Sequence, residues 1–374
     1  MRGWLNPPEL KDQDLTKRHN KVEKMTDSSK KIQIDELQSA LTQTIEKVRR
    51  EQDEREKKKL ILQIEKYNST IDKLRSGRLI SRQTRRDLVA YSFIAPNFIG
   101  FCVFTLIPIV FAFALAFMQW DGSNPISFEG INNFKRLWTD TFFKAALENT
   151  IIYCIGTVPL TIIASLALAI ILNQKVFGRG IFRTLAFFPY VASLVAITSV
   201  WKLLFHPSKG PVNNILYTFF NVPQDDLPQW FSGSLCVISM ILFSVWKYMG
   251  YYMVIYLAGL QGIPRELYEA ASLDGAGTWN RFRYITLPQL SSTTFFVVVM
   301  LTINCFKIYD VAVMLAGGGS GELTVSATVL VYYIYQKAFI DWDLGYSSAV
   351  AMVLFIMVLV VTIIQFRGQA KREA

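Results

Sequence analysis

Long apolar segments alternate with short polar ones from residue 88 to the C-terminal end of the chain. A helix needs about 20 apolar residues to cross the hydrocarbon core of a bilayer, because each residue advances it by about 1.5 Å. Six segments meet this requirement: 88–118, 146–173, 183–205, 234–260, 291–315 and 346–366. The pattern predicts an all-α, polytopic membrane protein whose six-span domain occupies residues 86–370.

The polar N-terminal segment contains two narrow apolar seams. Their members are Ile34, Leu37, Leu41, Ile45 and Val48 in the first, and Leu60, Ile64, Tyr67, Ile71 and Leu74 in the second. Spacings of three and four residues predict amphipathic helices. We expect a disordered cytoplasmic tail over residues 1–31 and a charged helical or coiled-coil extension over 32–85. The two seams then pack together as a hairpin, share one long helix, or belong to a charged tail that is only nascently helical.

Positive charge is distributed unevenly around the six spans. The segments on the N-terminal side of the bilayer hold 31 Lys and Arg residues, and the loops on the other side hold 5. Because cytoplasmic loops are enriched in Lys and Arg, this bias predicts a plasma-membrane protein with both termini inside. The N-terminus also lacks the short apolar region of a signal peptide. Positive charge beside a membrane needs no nucleic acid to explain it, so we expect no nucleic-acid partner.

Residue types that support catalysis or metal binding are sparse. The four cysteines fall inside predicted spans without Cys-x-x-Cys spacing, and the two histidines lie far apart in the sequence. These patterns predict no disulfide, no metal site and no enzymatic centre. A glycine-rich run at residues 317–321 lacks the Lys of a phosphate-binding loop, and no Gly-x4-Gly-Lys-Ser/Thr motif occurs. The chain is therefore not itself an ATPase.

The most informative motif lies in the loop 263–288, between the fourth and fifth predicted spans. Pro264 is placed to open a short helix, and Gly275 is placed to end it in a tight turn. The small side chains of Ala270 and Ala271 would allow another protein to approach closely. A second short helix should follow and stop at Pro288, because proline lacks a backbone N–H.

The spacing of this loop resembles the signature of ABC importer permeases. It matches without a gap: Glu269-Ala270-Ala271, three residues, Gly275, nine residues, then Ile285-x-Leu287-Pro288. The flanking sequences 257–264 and 274–277 look like those of the carbohydrate-uptake branch, which includes the maltose and oligosaccharide type I importers. The resemblance implies that this loop forms a coupling helix seated in a cleft of an ATPase. The residues assigned to coupling are Glu269, Ala270, Ala271, Leu273, Asp274, Gly275, Ile285, Leu287 and Pro288.

Polar residues inside predicted spans are candidates for substrate binding, because they are costly in a bilayer. Lys247, Tyr248 and Tyr251 lie in the fourth span. In the similar maltose permease this turn lines the sugar site and carries a tyrosine at the position of Tyr251. Lys247 and Tyr248 replace apolar or small residues there, which suggests a different glycan, acidic or larger. The alternative for Lys247 is pairing with a neighbouring helix or extension towards the membrane surface.

Three polar residues of the fifth span complete the candidate substrate site. Asn304, Lys307 and Asp310 are spaced i, i+3, i+6 and should drift slowly around one helical face. The alternative is that Lys307 and Asp310 pair within that helix. The resemblance implies that the equivalent turn in the family contributes sugar contacts, although no single residue is matched.

The resemblance implies a transport subunit rather than an enzyme. The expected function is ATP-driven uptake of a carbohydrate by alternating access. The carbohydrate we expect is an oligosaccharide. The expected partners are a second homologous permease subunit, an ATPase homodimer, an extracytoplasmic solute-binding protein and the lipid membrane. No cofactor is expected in this chain, since ATP and Mg would be used by the ATPase. Two alternatives stay open: an importer of an anionic non-sugar solute, and a membrane-anchored coiled-coil adaptor.

Overall fold

The structure is a computed structural model that describes residues 12–50, 54–76, 82–174, 177–317 and 324–373. The chain divides into two compact units, residues 1–107 and 108–374. Helices form nearly all of the regular structure in the described ranges. The first unit contains α1 (Asp12–Arg50), α2 (Glu54–Ser76) and α3 (Arg82–Phe101), followed by one wide turn of π-helix, Cys102–Leu106.

Helices α1 and α2 pack against each other as a hairpin. Ile71 of the second seam is buried, whereas Ile45 of the first seam is exposed and its neighbour Thr44 is buried instead. The helix α1 begins at Asp12, so the expected disorder over 1–31 is wrong for residues 12–31. The interval from Asp12 to Arg50 contains neither Gly nor Pro, and helix propagation is cooperative once a turn has formed. Residues 1–11 lie outside the described ranges.

The second unit is a bundle of helices with one small two-stranded sheet. The antiparallel strands β1 (Met118–Gln119) and β2 (Ser127–Phe128) follow α4, which spans the division between the units. The helices are α4 (Ile107–Leu115), α5 (Asn132–Thr139), α6 (Thr141–Asn173), α7 (Arg179–Val191), α8 (Leu194–Leu204), α9 (Pro211–Phe220), α10 (Cys236–Gln261), α11 (Arg265–Leu273), α12 (Thr278–Arg281), α13 (Leu287–Gln289), α14 (Ser291–Phe306), α15 (Asp310–Ala316), α16 (Leu330–Tyr335) and α17 (Leu344–Glu373). Two further π turns occupy Phe282–Thr286 and Gln336–Ile340, and 3-10 turns occupy Gln224–Asp226 and Gly233–Leu235.

Four helices of the described chain are long and apolar enough to cross a membrane by themselves: Asp87–Leu115, Thr141–Asn173, Gly233–Gln261 and Leu344–Ala370. Two further pairs of helices, each bent at a short break, meet the same criterion when each pair is taken as one span. The described chain therefore contains up to six spans. The first pair, α7 and α8, bends by 97°, and the second, Thr278–Gln289 with α14, bends by 65°. The predicted all-α membrane fold is therefore confirmed.

Two predicted spans are not continuous helices. The segment 183–205 breaks between α7 and α8, where Ala192, three residues after Pro189, adopts an extended backbone. The segment 291–315 breaks at residues 307–309, between α14 and α15. This second break falls where the sequence concentrates polar side chains. Irregular backbone is tolerated at membrane depth where it lines a cavity instead of facing lipid.

Helix α10 lies at the centre of the second unit and packs against α6, α7 and α14. Tyr153 of α6 donates a hydrogen bond of 2.7 Å to Ser244 of α10, and both side chains are buried. Since a buried hydroxyl without a partner costs free energy, this bond fixes the register between the two helices. At Gly250, α10 approaches the backbone of α7 so closely that a Cβ would lie 1.8 Å from the carbonyl oxygen of Ala186.

Asp140 ties three helices together at the start of α6. Its carboxylate accepts hydrogen bonds from the backbone N–H groups of Phe142 and Phe143, and from the hydroxyls of Tyr333 and Tyr346. Burial raises the pKa of this carboxyl, but the four donors outweigh burial and hold its pKa below the usual range. The carboxylate therefore stabilises the fold at neutral pH, and this contribution is lost as the pH falls through the lowered pKa.

We predict that Gly250→Ala separates α7 from α10 and destabilises the bundle. The added methyl group would collide with backbone atoms of Ala186, which cannot rotate away as a side chain could. Overpacking of this kind costs about 1–3 kcal/mol. The measurement is the midpoint of thermal unfolding of the purified chain in detergent. Gly368→Ala is the matched control, since this helical glycine has open space around its Cβ position. Equal midpoints for the two variants would contradict the close packing at Gly250.

Candidate functional site

A cavity of about 450 Å³ lies within the second unit, where the two broken spans meet α10. Its walls come from α6, the α7–α8 pair, α10 and the break between α14 and α15. The polar side chains that line it are Tyr153, Tyr190, Lys247, Tyr248, Asn304, Lys307, Tyr309 and Asp310. Five of the six predicted substrate residues are thus brought together, although they come from different parts of the chain.

Lys247 is partly buried between two aromatic rings. Its Nζ lies 4.9 Å from the ring centroid of Tyr248 and 5.9 Å from that of Tyr190. Both distances are within the range in which an ammonium group is attracted to the face of a tyrosine. Asp310 interacts electrostatically with this lysine, yet no ion pair within 4.0 Å joins Lys247 to a carboxylate in the described ranges. Its charge is therefore held in place by rings and remains available to a ligand.

The cavity is also lined by Asn304, Lys307 and Asp310, which do not share one helical face as predicted. Asn304 lies in the last turns of α14, Lys307 follows the end of that helix, and Asp310 is the first residue of α15. The expectation of one continuous helix through these residues is wrong, because the backbone leaves the helical conformation at 307–309. The alternative pairing of Lys307 with Asp310 is also absent among the ion pairs of the described residues.

Tyr251 does not line the cavity. Its ring stacks on that of Tyr190, with centroids 4.3 Å apart and planes 17° from parallel. Tyr190 stands between Tyr251 and the cavity and is the residue that sequence reasoning missed, together with Tyr153. Both are tyrosines inside predicted apolar spans, and a systematic inventory of polar aromatic residues at those positions would have selected them.

The predicted coupling loop forms an exposed helix with a glycine turn at its end. The Ala276 N–H bonds to the carbonyl of Ala271 at 2.9 Å, and the Gly275 N–H bonds to that of Ser272 at 3.1 Å. These two bonds form a Schellman motif, which requires a left-handed residue after the helix. Gly275 supplies it with a φ of +74°. Glu269 and Ala270 are exposed on the preceding helix.

The second half of the loop is held against the first by side chains. The hydroxyls of Tyr268 and Thr286 are 2.9 Å apart and hydrogen-bonded. The helix expected to stop at Pro288 continues to Gln289 and bends after it, at Leu290. A π turn precedes Pro288, because the proline ring removes an N–H and crowds the carbonyl four residues earlier.

The surface of this loop exposes large apolar side chains beside charged ones. Leu273 is 90% exposed and Trp279 is 71% exposed. Asp274 lies next to Leu273 and is also exposed, whereas Ile285 and Leu287 are half-buried. Exposed large apolar groups rimmed by polar residues are typical of a surface that binds another protein.

Comparison with known proteins gives a consistent result. Residues 149–370 match the family described as "Binding-protein-dependent transport system inner membrane component". The chain is 37% identical over 292 residues to the probable ABC transporter permease protein YesP of Bacillus subtilis, covering 77% of this chain and 92% of that protein. It is 33% identical over 290 residues to the lactose transport system permease protein LacF of Rhizobium radiobacter, covering 77% and 96%.

A solved structure has the same fold. A bacterial ABC transporter involved in the import of the acidic polysaccharide alginate contains a chain that matches with a TM-score of 0.67 at 22% identity. The match covers 78% of this chain and 98% of that one. The sequence and structural matches span the same helical domain as the cavity and the exposed loop. The chain therefore belongs to the family of binding-protein-dependent transport system inner membrane components, the permease subunits of ABC transporters.

Proposed function

We propose that this permease moves an oligosaccharide across the cytoplasmic membrane by alternating access, as one subunit of an ATP-driven importer. The observation that carries the proposal is the cavity lined by four tyrosines and an asparagine between two broken spans and α10. Its volume of about 450 Å³ falls in the range of small-molecule sites. Tyrosine rings present apolar faces to the C–H side of a sugar ring, and their hydroxyls hydrogen-bond to its hydroxyl groups.

Similarity to a permease named for lactose transport also supports a carbohydrate substrate. The rival substrate class is a non-sugar anion, which Lys247 and Lys307 would favour. A membrane-anchored coiled-coil adaptor is disfavoured, since anchoring requires neither a polar cavity nor up to six spans. The proposed orientation has both termini in the cytoplasm, in agreement with the distribution of Lys and Arg.

Two observations support the proposed partners: the exposed apolar side chains of the loop, and the lack of a phosphate-binding motif in the sequence. The loop exposes Leu273 at the end of α11 and Trp279 on α12, which suits docking into a cleft of an ATPase homodimer. That homodimer would bind ATP and Mg, because this chain has no phosphate-binding loop. A second homologous permease and an extracytoplasmic solute-binding protein complete the proposed importer. The residues proposed for coupling remain those assigned from the sequence, with Glu269 and Gly275 at their centre.

We predict that Gly275→Val blocks coupling. A β-branched residue at a φ of +74° is strained, so the turn after α11 would change its path. ATP-driven uptake by the assembled importer should fall at least tenfold while the amount of chain in the membrane stays the same. Gly277→Val is the matched control, because this glycine lies in the same loop at a φ of −69°. Wild-type uptake by Gly275→Val would contradict the coupling role of the loop.

We predict that Tyr190 contacts the transported sugar and that the stacked ring of Tyr251 holds the Tyr190 ring in position. Loss of one aromatic contact costs about 1 kcal/mol, so Tyr190→Ala should raise the half-saturating oligosaccharide concentration for uptake about fivefold. Tyr251→Phe should retain uptake because it preserves the stacked ring. The measurement is uptake of a panel of labelled oligosaccharides by cells that carry the whole importer. Tyr91→Ala, at an exposed position on α3, is the control.

Two results would contradict this function. The first is unaltered uptake of every transported sugar by Tyr190→Ala. The second is a wild-type importer that takes up no oligosaccharide of the panel but takes up a small organic phosphate.

A further inference from the structure

The polar groups of the cavity are unbalanced in both charge and hydrogen-bonding capacity. Lys247 and Lys307 contribute two ammonium groups, and Asp310 contributes one carboxylate. Ammonium groups are donors without acceptor capacity, whereas tyrosine and asparagine side chains provide both. A neutral sugar presents hydroxyl groups that donate as well as accept, and Asp310 is the one carboxylate among the lining residues. The surplus of positive donors calls for a ligand that brings acceptors and negative charge.

Lys247 is positioned to meet such a ligand rather than to stabilise the fold. It is partly buried and in contact with the rings of Tyr190 and Tyr248. The close approach of α10 to α7 at Gly250, one turn further along, sets the distance between those rings. The electrostatic interaction with Asp310 is not a direct ion pair, so the partly desolvated ammonium keeps a cost that binding of an anion would offset.

Lys307 supplies the second positive charge of the cavity lining. It lies at the break between α14 and α15, where the backbone is not constrained by helical hydrogen bonds. Its side chain is exposed to the cavity and forms no ion pair in the described ranges. A flexible four-carbon stem allows its three donors to follow a carboxylate. The two lysines therefore line one cavity from different parts of the chain, Lys247 on α10 and Lys307 at the break after α14.

We propose that the substrate is an acidic oligosaccharide whose carboxylate is bound by Lys247 and Lys307 while a sugar ring lies against Tyr190. The proposal rests on the proposed function and specifies its substrate class. The tyrosine-lined wall favours a ring-bearing anion over a small inorganic or organic phosphate, because a small phosphate would leave the aromatic surface without contact. Asp310 then limits the net positive charge, so that the bound anion can be released.

The test compares acidic oligosaccharides with counterparts in which each carboxyl group has been reduced to a primary alcohol. Trigalacturonate and trimannuronate are the acidic probes, and each is labelled differently from its reduced counterpart. Both members of a pair are given to the same cells carrying the full importer, so the ratio of their uptake is independent of expression. The variants are Lys247→Met, Lys307→Met, Lys247→Arg and Lys307→Arg. Lys144→Met is the control, because it removes one charge at an exposed position of α6.

The proposal predicts that the wild-type importer favours the acidic member of at least one pair. Each Met variant should lower acidic uptake about tenfold or more, since a charge-assisted hydrogen bond is lost, and should leave any uptake of the reduced member unchanged. The Arg variants should retain most acidic uptake, and Lys144→Met should match wild type.

Several outcomes would overturn the acidic substrate while leaving carbohydrate import standing. They are preference for the reduced members, wild-type acidic uptake by both Met variants, and equal loss in the Arg and Met variants. Uptake of glycerol phosphate with no uptake of any sugar probe would instead overturn the proposed function itself.

Discussion

The close approach of α10 to the backbone of α7 is the constraint on which the cavity depends. Gly250 lies against the carbonyl group of Ala186 with no room for a side chain. Because this contact brings the two helices together, Tyr190 of α7 can stack on Tyr251 and meet Lys247 of α10. A larger residue at position 250 would move every one of these groups. The packing of the two helix backbones thus sets the positions of the polar side chains that line the cavity.

The two broken spans provide the other walls. Each break exposes polar backbone groups that lipid could not satisfy, so each must face protein or an aqueous cavity. The break at 307–309 also turns Asn304 and Asp310 towards the same volume, although they lie on different helices. The irregular backbone therefore places these two side chains at the cavity, which a continuous helix could not do.

The exposed loop is connected directly to two walls of the cavity. Helix α10, which carries Lys247, leads into the loop, and the bent pair Thr278–Gln289 with α14 leads out of it towards Asn304. A force applied to the loop by a partner would therefore reach one wall through α10 and the other through the bent pair. The Tyr268–Thr286 hydrogen bond links the two halves of the loop, so such a force would act on both halves together.

Much of this arrangement could be predicted from the sequence. Apolar length identified the helical spans, and Gly275 could be assigned to a left-handed turn because its place after a short helix calls for one. The breaks could not be predicted, since an apolar segment has the same composition whether its helix is straight or bent. Tyr190 was missed because its role comes from a neighbour sixty residues away in the chain, whereas Tyr251 was chosen by resemblance and lies behind it. The early start of α1 was missed because charged sequence suggests disorder even where no helix breaker occurs.

The central claim is that this permease binds its sugar substrate in the cavity between Tyr190 and Lys247. An electron cryomicroscopy structure of the assembled importer, held with a transported oligosaccharide and a non-hydrolysable ATP analogue, tests it most directly. We expect ligand density in the cavity, with a ring against Tyr190 and an acidic group within hydrogen-bonding distance of the Lys247 Nζ. An empty cavity with the oligosaccharide bound elsewhere in the membrane domain would contradict the claim.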